Sequence, residues 1–416
     1  MKKTIALTLL ATLLTATAAP GDWPTWRGPK RDGISTETGL LKTWPKEGPP
    51  LAWKATGLGE GFASVTIAAG RIFTSGHADV VDGGQTNRKE FVFARSVRDG
   101  SVLWSTALAD ATRLDHPGSR VTPTVDGEFL YTVSAYGDFT CLEAASGKVR
   151  WTKQLKRELN GTQPGWGYSE SPLVDGDLVL CTPGGAKGTI LAVRKTSGEI
   201  AWRSTDFKDG AQYAGLVPAT IGGVKQYIQM TGRSVAGVAA ADGQLLWKVD
   251  RNGPTAAVPS PIYADNHLYA TSGYGVGCNG YSITKDSAGF KVEPLWANKA
   301  IGNHHGGVIK VGDYVYGLAD SGKLICQDFK TGDEKWADRC VGKGAVALVE
   351  GLLYCRSEGR GEVALVEASP EGYREKGRFM PPDRSKRQAW AHPVIAGGKL
   401  YLRDMDVLLC YDVKAK

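Results

Sequence analysis

The chain has 416 residues, of which 22% are charged, and its 50 basic against 43 acidic side chains give a formal charge of +7. That mild excess, densest at Arg384, Lys386 and Arg387, argues against nucleic acid as a partner, while 54 glycines, 20 prolines and 12 tryptophans suit short strands joined by tight turns. Beyond the first twenty residues no segment has sustained helical periodicity, and none approaches the ~20 apolar residues that a membrane-spanning helix needs.

In chain order, Lys2 and Lys3, the apolar run over residues 5–14 and then Ala16-Thr17-Ala18 form the three parts of a secretory signal peptide, residues 1–18. Cleavage after Ala18, without a cysteine there to carry lipid, predicts a mature chain in the periplasm or outside the cell, and a monomer is the expected state. Residues 19–47 read as an N-terminal extended segment, and residues 48–416 as one domain.

Within that domain a glycine precedes a tryptophan by four positions five times, at Gly100/Trp104, Gly147/Trp151, Gly198/Trp202, Gly243/Trp247 and Gly332/Trp336. Consecutive members recur every 45 to 51 residues, a period that marks a repeat architecture. An independent signal counts the units. Turn residues stand between apolar runs at Gly70, Asp126-Gly127, Asp175-Gly176, Gly222-Gly223, Asp265-Asn266, Gly312-Asp313, Glu350-Gly351 and Gly397-Gly398, which are eight hairpins. Four short strands per unit match one blade, so the expected fold is an all-β, eight-bladed β-propeller of four-stranded antiparallel sheets. Unit five carries an insertion between Gly289 and Trp296, and Phe379 stands in the tryptophan place of unit seven. Unit eight stops short of an outer strand, whereas residues 48–55, Gly-Pro-Pro-Leu-Ala-Trp-Lys-Ala, hold the spare Trp53; this N-terminal strand is expected to complete the last blade.

Seven cysteines in an exported chain invite a disulfide framework, yet Cys141 and Cys326 lie ten residues before a repeat tryptophan, where other units place Ala94, Ala192 and Gly237. Cys410 matches Cys141, and Cys181 and Cys355 share a place in the second strand. Only Cys278 and Cys340 fall outside the pattern and are open to one bridge.

Loops leading into the innermost strands of a propeller converge on a shared funnel. There the chain places Arg120; Trp166, Tyr168 and Glu170; Gln212 and Tyr213; Asn303, His304 and His305; Lys343; and Gln388, Trp390 and His392, with His116 just ahead of one loop. Three readings stay open: an anionic or sugar-like ligand held by aromatic stacking and by Arg120 or Lys343, a metal, or loops that only satisfy their own backbone. For a metal, Glu170, His392 and one of the histidine pair is the set that can be assembled, because adjacent residues of a strand point to opposite faces.

Residues 142–151, Leu-Glu-Ala-Ala-Ser-Gly-Lys-Val-Arg-Trp, and 327–336, Gln-Asp-Phe-Lys-Thr-Gly-Asp-Glu-Lys-Trp, resemble the tryptophan-docking motif of pyrroloquinoline-quinone (PQQ) repeats. That family includes quinoprotein alcohol dehydrogenases and BamB-like outer-membrane assembly propellers, and the likeness covers the whole mature chain. More narrowly, residues 23–29 (Trp-Pro-Thr-Trp-Arg-Gly-Pro), 168–173, 303–307 and 363–373 look like exported PQQ-like propellers of planctomycete-type bacteria. The dehydrogenase resemblance implies PQQ with calcium, an adjacent cysteine pair, a tryptophan beneath the quinone and an aspartate base. This chain has no Cys-Cys dipeptide and no matching acidic motif, so no catalytic residue carries over. The expected function is a non-catalytic scaffold binding a protein, glycan or small molecule at its funnel, with a PQQ-dependent alcohol dehydrogenase as the alternative.

Overall fold

The computed structural model describes residues 21–111, 116 and 118–415, and these form eight blades of four antiparallel strands, one of them with a short parallel fifth strand, and no α-helix. The expected signal peptide lies outside the described residues. Blade 2 shows the common plan, with strands Thr124–Asp126, Phe129–Val133, Asp138–Glu143 and Val149–Gln154 running from the channel outward. All eight predicted turns join a first to a second strand. Several are paired left-handed residues: φ is 54° and 78° at Gly222 and Gly223, and 51° and 61° at Asp265 and Asn266, as a two-residue hairpin loop requires.

The tryptophan period is set by sterics between blades. Each repeat tryptophan follows a bulge and faces a small residue of the third strand: Trp104 opposite Ala94, Trp151 opposite Cys141, Trp202 opposite Ala192, Trp247 opposite Gly237 and Trp336 opposite Cys326. Trp296 of the elongated fifth blade does the same with Gly280. In several blades the indole then reaches into the next. Gly147 lies against Trp104, Gly198 against Trp151, Gly243 against Trp202 and Gly332 against Trp296, with no room for a Cβ. The indole N–H donates to a carbonyl of that next blade, from Trp104 to Ala144 at 3.2 Å and from Trp151 to Lys195 at 3.1 Å.

The ring closes as predicted. Leu51–Ala55 pairs with Val407–Asp412 and completes blade 8, with Trp53 opposite Cys410, against Gly100 of blade 1, and donating to Val97 O at 3.2 Å. Buried Arg403 of blade 8 reinforces the seam, donating to Ser75 O at 2.6 Å and to Leu58 O and Gly59 O at 3.2 Å each. Apolar clusters of the described residues straddle neighbouring blades all round the ring, and Ile67, Ile72, Tyr401 and Cys410 share the cluster at the seam.

Blade 7 solves its missing tryptophan differently from the expectation. Gly377 occupies the register position, and buried Trp44 from the N-terminal segment packs over it, edge-to-face with Tyr354 and Phe379 at 5.3 Å each. Phe379, two residues on, receives Gly48 as the tryptophans receive their glycines. All seven cysteines are free. Cys278 of blade 5 faces Asn298 and, across in blade 6, Gln327, whereas Cys340 packs beside the cluster holding Cys355, so the Cys278–Cys340 bridge does not form.

Residues 21–37 do more than extend. They lie along the free edges of the innermost strands and fill the channel from the rim opposite the funnel. Glu37 accepts from Gly398 N at 2.7 Å in a hairpin turn at that rim, Ile34–Ser35 pairs in parallel with Gly344–Val349 of blade 7, and Trp23 bridges Ile67 of blade 1. At the tip, buried Arg31 donates to Ser171 O at 2.9 Å and Pro172 O at 3.1 Å, and Arg27 to Val308 O at 2.6 Å. Burial lowers both guanidinium groups to about 10, still charged at neutral pH.

Candidate functional site

Because antiparallel strands alternate in direction, the loops leading into first strands and those between second and third strands share one rim. They surround a cavity of about 170 Å³. Phe62, Arg120, Trp166, Tyr213, His304, His305, Trp390 and His392 line it, with His116 and with Tyr274 from the second-to-third loop of blade 5. Its inner end is Trp26 of the channel-filling segment, whose ring meets His392 edge-on at 5.4 Å. The pocket is therefore dead-ended.

Seven of the ten sequence-predicted residues thus come together, and three do not. Tyr168 is a core residue between blades 2 and 3 whose hydroxyl donates to Pro183 O at 3.1 Å. Glu170 is buried, accepting from Leu216 N at 3.0 Å, and burial pushes its carboxyl up to about 7. Lys343 sits outside the lining, 3.6 Å from Glu358 Oε1 and 3.9 Å from Asp320 Oδ1.

Arg120 lines the wall with both terminal nitrogens engaged on backbone carbonyls. They donate to His116 O at 2.7 Å, Trp166 O at 2.9 Å and Gly118 O at 3.3 Å, while its guanidinium lies 5.3 Å from the Phe62 ring centre. Three of its N–H groups are thus committed to backbone carbonyls. Aromatic surface dominates instead: Phe62 and Trp390 lie 4.5 Å apart, Trp166 and Tyr213 5.8 Å, and His116 and Trp390 5.5 Å. His392 donates from Nε2 to His305 O at 3.0 Å, and burial, with Arg27 nearby, pushes its imidazole down to about 3. It is neutral at physiological pH.

The predicted metal set does not assemble, since Glu170 is bound up with Leu216. The group that does converge is His304, His305 and Glu358. The expectation that adjacent histidines diverge fails because residues 304–306 form a bend, with the strand starting only at Val308. Glu358 belongs to a second-to-third loop, in blade 7, which the pattern of residues before first strands does not reach. Burial opposes its ionisation, yet His304, His305 and Lys343 together hold it well below the usual carboxylate range.

Comparison with known proteins decides the lineage. The family described as outer membrane protein assembly factor BamB matches residues 88–338, more than half of the chain. The chain belongs to this family. A curated relative, outer membrane protein assembly factor BamB of Yersinia pestis, is 24% identical over 192 residues, and the match spans 42% of this chain and 45% of that protein. Among solved structures, BamB from Moraxella catarrhalis superposes with a TM-score of 0.59 at 16% identity, covering 87% of this chain and 97% of that one. Quinohemoprotein alcohol dehydrogenase from Comamonas testosteroni gives 0.64 at 13% identity, covering 96% and 82%. At these identities the superpositions establish a shared propeller fold.

Against that relationship the pocket can be tested for a carboxylated quinone with calcium. The lining holds one cation, Arg120, with its terminal nitrogens on carbonyls, and no carboxylate or amide side chain for a calcium that takes oxygen ligands. None of the seven cysteines lines it. The described residues of this BamB-family propeller do not fit that cofactor.

Proposed function

We propose that this propeller is a non-catalytic binding protein, exported by its signal peptide, that takes one small neutral ring carrying oxygen acceptors into the dead-ended pocket. The carrying observation is the combination of aromatic walls with unspent donors. Trp390 Nε1 and His305 Nε2 are buried without hydrogen-bond partners on two of the lining side chains. Such N–H groups cost free energy unless an acceptor meets them, and stacked indole and phenyl rings favour a flat partner. An apolar cavity of about 150 Å³ holds benzene, so this one admits a single ring with substituents toward solvent. A phenol or a monosaccharide has that chemistry. Membership of the planctomycete-type exported group is part of the same reading, resting on the sequence likenesses at residues 23–29 and 303–307.

The test is intrinsic tryptophan fluorescence and thermal shift with monocyclic phenols and methyl glycosides, on the native chain and on Trp390→Ala. Saturable binding that Trp390→Ala abolishes supports the proposal, and none across both probe classes rejects it. Stoichiometric uptake of PQQ with calcium chloride would favour the dehydrogenase alternative.

A further inference from the structure

We propose that His304, His305 and Glu358 form a three-ligand site for a divalent transition metal, with zinc the best match, at the edge of the pocket. The site stands independently of what the pocket binds, because it rests on different atoms.

The first support is distance. Glu358 Oε2 lies 3.1 Å from His305 Nδ1 and 3.9 Å from His304 Nδ1, and the ligand atoms of all three residues fall within 4.8 Å of one another. Zinc bonds of about 2.0–2.1 Å at tetrahedral angles put neighbouring ligand atoms roughly 3.4 Å apart, between the two observed spacings. The imidazole planes are perpendicular, at 90°, and each ring has its Nδ1 on the Glu358 Oε2 side.

The second support is that these same atoms face only one another. His304 Nδ1, His305 Nδ1 and Glu358 Oε2 are buried, and none has a well-aligned hydrogen bond to any group outside the trio. His305 itself is only 9% exposed. A cation shared by the three would satisfy them better than their contacts with one another do.

The third is the outer arrangement. His304 Nε2 pairs with Tyr274 OH at 2.9 Å, and the Tyr274 backbone N donates to Asp320 Oδ2 at 3.0 Å. With its proton on Nε2, His304 presents the Nδ1 lone pair inward, which is how metal-binding histidines are held. On the far side of Glu358, Lys343 Nζ stands 3.6 Å from Oε1, leaving Oε2 to the histidines. Lys343, Asp320 and Glu358 together contribute one net negative charge around the histidines, which favours a divalent cation. Two imidazoles and one carboxylate select zinc and its neighbours over calcium or magnesium, and three protein ligands leave a coordination position for water or a pocket ligand.

The experiment uses the full mature chain without a polyhistidine tag, stripped with chelator and titrated with zinc chloride against a chromophoric competitor. One zinc per chain is expected, with a raised melting temperature. His304→Ala and Glu358→Gln should each weaken binding by at least about tenfold, since loss of even an outer-shell partner costs 10- to 100-fold. Cobalt(II) should give the visible absorption of a four-coordinate site. Absence of stoichiometric zinc, or zinc retained equally by both variants, overturns the assignment; Glu358→Gln, nearly isosteric, decides if His304→Ala fails to fold. Trp390→Ala should keep its zinc while losing any ring ligand, which separates failure of this site from failure of the pocket reading.

Discussion

Replacing Gly198 with alanine isolates the contact that sets the repeat. Gly198 has φ of 74°, and a Cβ there would stand 2.8 Å from Trp151 Cδ2 and 3.0 Å from its Cγ. Gly176, in the same blade, has φ of 60° with nothing within 4 Å of a Cβ. The left-handed conformation costs alanine about 1–2 kcal/mol, of which about 0.4–1 is offset by the smaller entropy of the unfolded chain, so Gly176→Ala should lose roughly 0.5–1 kcal/mol. Gly198→Ala adds an overpacking cost of about 1–3 kcal/mol, because the backbone of one blade must retreat from the indole of another. At ~2.1 cal/mol/K per residue, roughly 400 residues convert 1 kcal/mol into about 1.2 °C. Calorimetry should therefore show a fall of about 1 °C for Gly176→Ala and about 2–5 °C for Gly198→Ala. In a Trp151→Ala background the second substitution should shrink to the first. Equal losses for the two glycines in the native background would refute docking as the origin of the period.

The seam makes a second prediction: Arg403→Lys should destabilise by about 3 kcal/mol or more in urea unfolding, since one ammonium cannot serve carbonyls of Leu58, Gly59 and Ser75 together, and near-neutrality would remove Arg403 from the closure. A chain beginning at residue 57 lacks Leu51–Ala55 and the Trp53 contact, so it should lose about 3 kcal/mol or more of apolar burial alone; one that melts like the full protein contradicts the closure. Beginning at residue 39 keeps that strand but removes the channel filling, and water-soluble quenchers should then reach the pocket tryptophans more readily; unchanged quenching would mean Trp26 does not seal the inner end. For pH, the Glu170 carboxyl stands at about 7 folded against 4.5 ordinarily, so its stabilising effect is complete below about pH 4.5 and is lost as pH rises through about 7, a span of about 3 kcal/mol. Glu170→Gln should flatten that part of the stability profile, and an unaltered slope would show that another group carries it.

What was legible in the sequence, and what was not, follows from where each constraint acts. Glycine at positive φ, a small residue ten places before tryptophan and a two-residue turn are local requirements, so they recur visibly and fix the blade count and the closing strand. Trp44 over Gly377, Trp26 at the inner end of the pocket and Arg31 on Ser171 and Pro172 join parts of the chain far apart in sequence, and no period announces them. Within the funnel the readable half was the half with a rule. Loops before first strands yielded Trp166, Tyr213, His304, His305, Trp390 and His392, whereas Tyr274 and Glu358 come from loops between second and third strands. Strand alternation puts both loop types on the same rim, so the rule was simply incomplete. The residues so overlooked are the ones that turn two adjacent histidines into a candidate metal site, one partnering His304 Nε2 and the other facing both Nδ1 atoms. A propeller's chemistry is better sought by pooling every loop of one rim than by following any single position of the repeat.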